Sequence, residues 1–292
     1  MILPGHSAAR RVWRFLRLPV FVLMGMLIVL TAIQDRLIFP GADSQGRPEA
    51  RVTPPPGATI VTLDANGDKV VALFGPALGP GGSPDPEASR RPTILFFYGN
   101  GMCLADSISR FESFRRLGAN VLIPDYLGFG LSGGSAGESG CYRTADAAFD
   151  HLSSRKDVDP ARIVAAGWSL GAAVAVDLAA RRPVAGLAIF SPFTSLAEMV
   201  RRSFPFLPTS LLLQHKFDNL SKIGGVKVPV LIGHGRRDQL IPFAMSERLA
   251  ERVPGATRID VDAADHNDYF DAGGRSVEDA LHAFLDRIAS AR

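Results

Sequence analysis

The chain has 292 residues, 47% of them hydrophobic, and a formal net charge of +3 at neutral pH. That length and apolar content suit one large α/β domain whose sheet is covered on both faces. The small basic excess sits largely in Arg10, Arg11, Arg14 and Arg17, ahead of any acidic residue, so the charge carries no nucleic-acid footprint. Cys103 and Cys141 lack metal-ligand spacing and read as free thiols more readily than as a disulfide.

From Leu18 to Gln34 the chain is uncharged and almost wholly apolar. At about 1.5 Å rise per residue it falls slightly short of a ~30 Å hydrocarbon core, a gap that snorkelling Arg14 and Arg17 and interfacial Trp13 and Phe15 would close. The expectation is an uncleaved, single-span membrane anchor within residues 1–40. A cleaved signal peptide is the competing reading, weakened by the poor small-x-small site at Leu30-Thr31-Ala32. A twin-arginine signal at Arg10-Arg11 is disfavoured by Arg14. Lys and Arg counts on the two sides put the N-terminus in the cytoplasm and residues 41–292 on the far side.

Residues 41–57 are rich in Pro, Gly and polar side chains and read as a tether or surface loop. Two alternating runs follow, joined at Asn66-Gly67, a strong hairpin signal. After a Pro/Gly loop at 78–91 come the apolar runs TILFFY, ANVLIPDY, ARIVAAGW and VAGLAIF, and later VPVLIGHG and TRIDVDAA. Such runs are what doubly covered parallel strands look like, each requiring a crossover helix. Residues 194–227 break that rhythm with short helical stretches separated by proline, and are expected to lie as a cap over the C-terminal strand ends. The last stretch spaces Val277, Leu281, Phe284 and Ile288 as one face of an amphipathic helix.

The chemistry centres on Gly167-Trp168-Ser169-Leu170-Gly171. It joins an apolar strand to an alanine-rich helix, the context in which G-x-S-x-G forms a nucleophile elbow. A serine hydroxyl needs a base to take its proton and a carboxylate to orient that base. Asp238 lies just beyond VPVLIGHG and His266 just beyond TRIDVDAA, both at the strand edge that carries Ser169. Among the other histidines, His6 precedes the apolar segment, His151 and His282 fall in helical patterns, and His215 is in the cap-like segment. His234, one turn before Asp238, reads as structural. Asp265 and Asp268 are the competing acids, too close in sequence to orient His266. Leu170, after the nucleophile, is expected to give one oxyanion N–H, and Asn100, in the loop after TILFFY, the other.

Taken together, YGNG, DYLGFGLSGG, GWSLG, SPFTSLAEM, FPFLP, GHGRRDQLIP and DHND resemble the membrane-anchored serine hydrolases of the α/β-hydrolase-domain-containing group, from about Gln34 to the C-terminus. The resemblance implies the α/β-hydrolase fold, a mostly parallel central sheet with helices on both faces and a short cap. It also implies acyl-ester or acyl-thioester substrates, a Ser169–Asp238–His266 triad, and oxyanion donors at Asn100 and Leu170. The family's usual His-Gly-Asn is Tyr98-Gly99-Asn100 here, a change that keeps the backbone donor at Asn100. No cofactor or metal is implied, since a triad hydrolyses without one. The competing functions are a catalytically silent binding or scaffold module and a serine peptidase on the same fold.

Overall fold

The computed structural model describes residues 6–290. Helix α1 runs over His6–Ile38. No helix among the described residues combines the length and apolarity needed to cross a membrane, which overturns the expected single-span anchor and, with it, the orientation assigned to residues 41–292. The apolar run does not end the helix: α1 continues through Gln34, Asp35 and Arg36, and its last turns pack on the rest of the chain, with Gln34 buried. The side chains of Trp13, Arg14 and Phe15, expected at a membrane interface, lie outside the described residues.

The first two strands, β1 (Thr59–Ala65) and β2 (Asp68–Gly75), form the expected hairpin. Asn66 and Gly67 both have positive φ, 57° and 90°. That is the requirement of a type I′ turn, whose twist matches the strands it joins. The six apolar runs become β3 (Thr93–Phe97), β4 (Asn120–Pro124), β5 (Ile163–Trp168), β6 (Gly186–Phe190), β7 (Val230–Gly235) and β8 (Thr257–Val261). They build one eight-stranded sheet in the order β1-β2-β4-β3-β5-β6-β7-β8. The β3–β8 strands pair in parallel, and β2 joins antiparallel beside β4. Every residue of β3, β4, β6 and β7 is buried. Because side chains alternate between faces, burial of all of them means that both faces are covered.

The crossovers are helical: α2 (Ile108–Arg116), α3 (Glu138–Ser154) and α4 (Leu170–Arg181) follow β3, β4 and β5. Between β6 and β7, residues 194–227 form three short helices, α5 (Leu196–Ser203), α6 (Thr209–Leu212) and α7 (Asn219–Ile223). Proline enters between α5 and α6 at positions 205 and 208 and breaks the helix there. This segment is tied down by Glu138, whose carboxylate accepts the backbone N–H groups of Lys216 and Phe217 at 2.6 and 2.9 Å. Helix α8 (Phe243–Glu251) connects β7 to β8. The final α9 (Tyr269–Ser290) starts earlier than the periodicity indicated, because two helices join across a kink at Gly274. Beyond the kink the expected face, Val277, Leu281, Phe284 and Ile288, is buried.

Candidate active site

Strand β5 ends where α4 begins, and Ser169 occupies the joint with φ 56° and ψ −118°. Positive φ is costly for a residue with a Cβ, of order 1–3 kcal/mol, and persists only where the surroundings enforce it. Here the enforcing contacts are close: a Cβ on Gly167 would fall 2.0 Å from the Gly171 carbonyl oxygen, and one on Gly171 would fall 1.9 Å from that of Phe97. The turn is thereby wedged against β3, and Ser169 is presented at the C-terminal edge of the parallel strands.

Asp238 and His266, from the loops after β7 and β8, meet Ser169 there. His266 Nε2 lies 3.0 Å from Ser169 Oγ, and His266 Nδ1 lies 2.7 Å from Asp238 Oδ2. An ionised carboxylate only accepts, so Nδ1–H donates to Asp238 and Nε2 is left with a lone pair facing the serine hydroxyl. All three residues are buried. The Trp168 ring flanks the imidazole, with ring centroids 5.0 Å apart.

Asp238 is held from every side. Its Oδ1 accepts the N–H groups of Leu240 at 3.0 Å and Ile241 at 2.7 Å, and its Oδ2 also faces His234 Nε2 at 3.1 Å. Burial by itself would raise its pKa, but the hydrogen bonds from His234, His266 and the Ile241 N–H outweigh it and hold the carboxyl well below the usual carboxylate range. The competing acids are otherwise engaged. Asp265 accepts the N–H groups of Gln239 and His266, and Asp268 accepts that of Asp265, so both shape the loop rather than the imidazole.

His234 is the residue that the chain order undervalued. Its Nε2 faces two acceptors, Asp238 Oδ2 and the Ile241 carbonyl at 3.0 Å, so it carries the proton and donates to both. Only the four-residue spacing to Asp238 signalled this. His234→Leu removes a donor from a buried carboxylate, a bond worth about 1.5–3 kcal/mol. We expect urea unfolding to show a loss of about 2 kcal/mol, with His234→Gln, which keeps an N–H donor, losing less.

The Asn100 loop is also fixed. Its side-chain amide donates to the Ile38 carbonyl at 2.9 Å, and its own carbonyl accepts the Gly41 N–H at 2.8 Å. Among the described residues, no protein acceptor engages the backbone N–H of Asn100 or of Leu170. Tyr98, where the histidine of the resembled family stands, is buried and donates from its hydroxyl to Asp125 Oδ1 at 2.9 Å. Asp125 further accepts the N–H groups of Leu104 and Leu131, so the tyrosine pins this loop to its neighbours through one buried carboxylate. Cys103 and Cys141 are free and buried.

Ser169, Leu170 and Asn100 line one cavity of about 440 Å³ with side chains of α1 and of residues 194–227. Its walls are mainly Leu, Ile, Met, Val and Phe.

The chain has many relatives. It is 38% identical over 274 residues, 92% of either chain, to the uncharacterized protein Rv2307c of Mycobacterium tuberculosis. It is 31% identical to the α/β hydrolase domain-containing protein WAV2 of Arabidopsis thaliana, covering 68% of this chain and 71% of that one. The mouse α/β hydrolase domain-containing protein 17C is 35% identical over 62% of this chain and 56% of its own. The α/β hydrolase family model matches residues 99–223, and a TAP-like protein model matches 208–289. Among solved structures, an esterase of Pyrococcus furiosus superposes with a TM-score of 0.65 at 20% identity, covering 81% of this chain and 97% of its own. Est1E of Butyrivibrio proteoclasticus gives 0.62 at 17% identity, covering 80% and 99%. By its fold and its relatives, the chain belongs to the α/β-hydrolase family.

Proposed function

We propose that this hydrolase cleaves carboxylic-ester or thioester acyl bonds through an acyl-enzyme on Ser169. The observation that carries the reading is the unbroken relay from Ser169 Oγ to His266 Nε2, and from His266 Nδ1 to Asp238, opening on an apolar cavity. In this mechanism His266 Nε2 takes the Ser169 proton as Oγ attacks the substrate's carbonyl carbon. The N–H groups of Asn100 and Leu170 receive the developing oxyanion, and Asp238 stabilises the imidazolium. His266 then returns the proton to the departing alkoxide or thiolate. In the second half it activates a water that attacks the acyl carbon, freeing the acid and regenerating Ser169.

Residues 194–227 act in this reading as the cap, supplying apolar walls. The one residue that would favour a silent scaffold is Tyr98, which replaces the histidine of the resembled family. Its hydroxyl occupies a bonded, buried place that leaves the Asn100 loop pinned, which supports the active reading. The test is hydrolysis of a p-nitrophenyl acyl ester by the wild type and by Ser169→Ala. Turnover by the wild type and its loss by about a millionfold in the variant, as in a measured serine protease, is the expected result. Equal rates for the two proteins would refute it.

A further inference from the structure

We propose that the last turns of α1 select the acyl group: Leu30 to Ile38 line one wall of the apolar cavity beside Ser169, so its substrate is an ester or thioester of a flexible hydrocarbon chain. This rests on the reading of Ser169 as nucleophile. It concerns a segment that lies before both residue ranges matched by the family models.

The cavity, about 440 Å³, is of the size that holds small-molecule ligands. Its reacting end is polar, formed by Ser169 and Asn100. From α1 it takes Leu30, Leu37 and Ile38, and from residues 194–227 it takes Met199, Leu207 and Leu212. The polar side chains that α1 brings to the lining are already committed within the protein. The Thr31 hydroxyl donates to the Leu27 carbonyl at 2.9 Å. The Gln34 amide donates to the Thr31 carbonyl at 2.9 Å and accepts the Gln214 N–H at 3.0 Å. A charged tail would lose its water along this wall, which offers it no charged partner and only a few neutral oxygens. A hydrocarbon tail instead gains roughly fourfold in affinity for each methylene it buries.

The wall is held in place at both of its contacts. On the cap side, Gln34 bonds to Gln214, and His215 Nε2 donates to Asp35 Oδ1 at 2.7 Å while its Nδ1 accepts the Glu138 N–H. On the catalytic side, the Ile38 carbonyl accepts the Asn100 amide. One helix end therefore touches both the chain-binding lining and the loop that carries an oxyanion donor. Of the apolar run that reads in sequence as a membrane span, Leu30 reaches the cavity, while Leu18, Phe21, Val22, Ile28 and Val29 stay exposed.

The experiment compares kcat/KM for p-nitrophenyl acetate and p-nitrophenyl octanoate in the full-length wild type, Leu30→Trp and Leu30→Ala. The indole fills the cavity, and the octanoate-to-acetate ratio falls by about tenfold or more. The alanine enlarges it, and the octanoate-to-acetate ratio rises by more than about twofold. A ratio within about twofold of the wild type in Leu30→Ala, with or without a folded Leu30→Trp, would overturn the proposal. Absence of wild-type turnover on both esters would overturn instead the nucleophile reading beneath it.

Discussion

Replacing Asp238 by asparagine is expected to lower kcat by about 10,000-fold, the loss measured for the equivalent change in a serine protease. Shape is nearly conserved, but the carboxylate that fixes the His266 tautomer is gone. An amide nitrogen turned toward Nδ1 leaves the proton on Nε2, where it opposes deprotonation of Ser169. The same substitution reports on stability with a definite sign. Asp238 is held well below the usual carboxylate range by bonds that overcome its burial. Its charge therefore stabilises the fold fully above the ordinary carboxylate value of about 3.9, and that contribution is lost as pH falls through the depressed value. The stability gap between wild type and Asp238→Asn, read from urea midpoints, is expected to be constant at neutral pH and to narrow only in strong acid.

The second large effect lies in the backbone. In Gly171→Ala the new methyl would sit 1.9 Å from the Phe97 carbonyl oxygen and 2.7 Å from that of Tyr98. Both atoms belong to main chain at the end of β3, which is paired with β4 and β5 and has little freedom to retreat. The helix must move away from the strand, at a cost of about 3 kcal/mol or more. A thermal scan is expected to show a midpoint lower by roughly 5–10 °C. Turnover should fall as well, since displacement of α4 carries both Ser169 and the Leu170 N–H out of position. Gly171→Ala with wild-type melting and turnover would show that the elbow is looser than its contacts require.

How much of this was legible in the chain follows from how local each signal is. The hairpin was readable because Asn66-Gly67 meets its φ requirement within two residues. The strands were readable because burial on both faces leaves an unbroken apolar run. That Ser169, Asp238 and His266 come together was readable because each lies at or shortly beyond the C-terminal end of a strand, and parallel strands deliver such positions to one edge. The relations that escaped are non-local. Tyr98 bonds Asp125 across 27 residues, and nothing near either residue announces the pairing. Gln34 bonds Gln214 across 180, so the run before it offered only its hydropathy and read as a membrane span. His234 stood four residues from Asp238, but a histidine ending a buried strand carries no mark of which way its ring donates.

The central claim, a nucleophilic Ser169 activated by His266, is tested most directly by mass spectrometry after treatment with a fluorophosphonate. A single adduct on the peptide containing Ser169, formed by the wild type and lost in His266→Ala, is the outcome this account requires. A folded wild-type protein that takes no adduct, or takes it on a different residue, would contradict it.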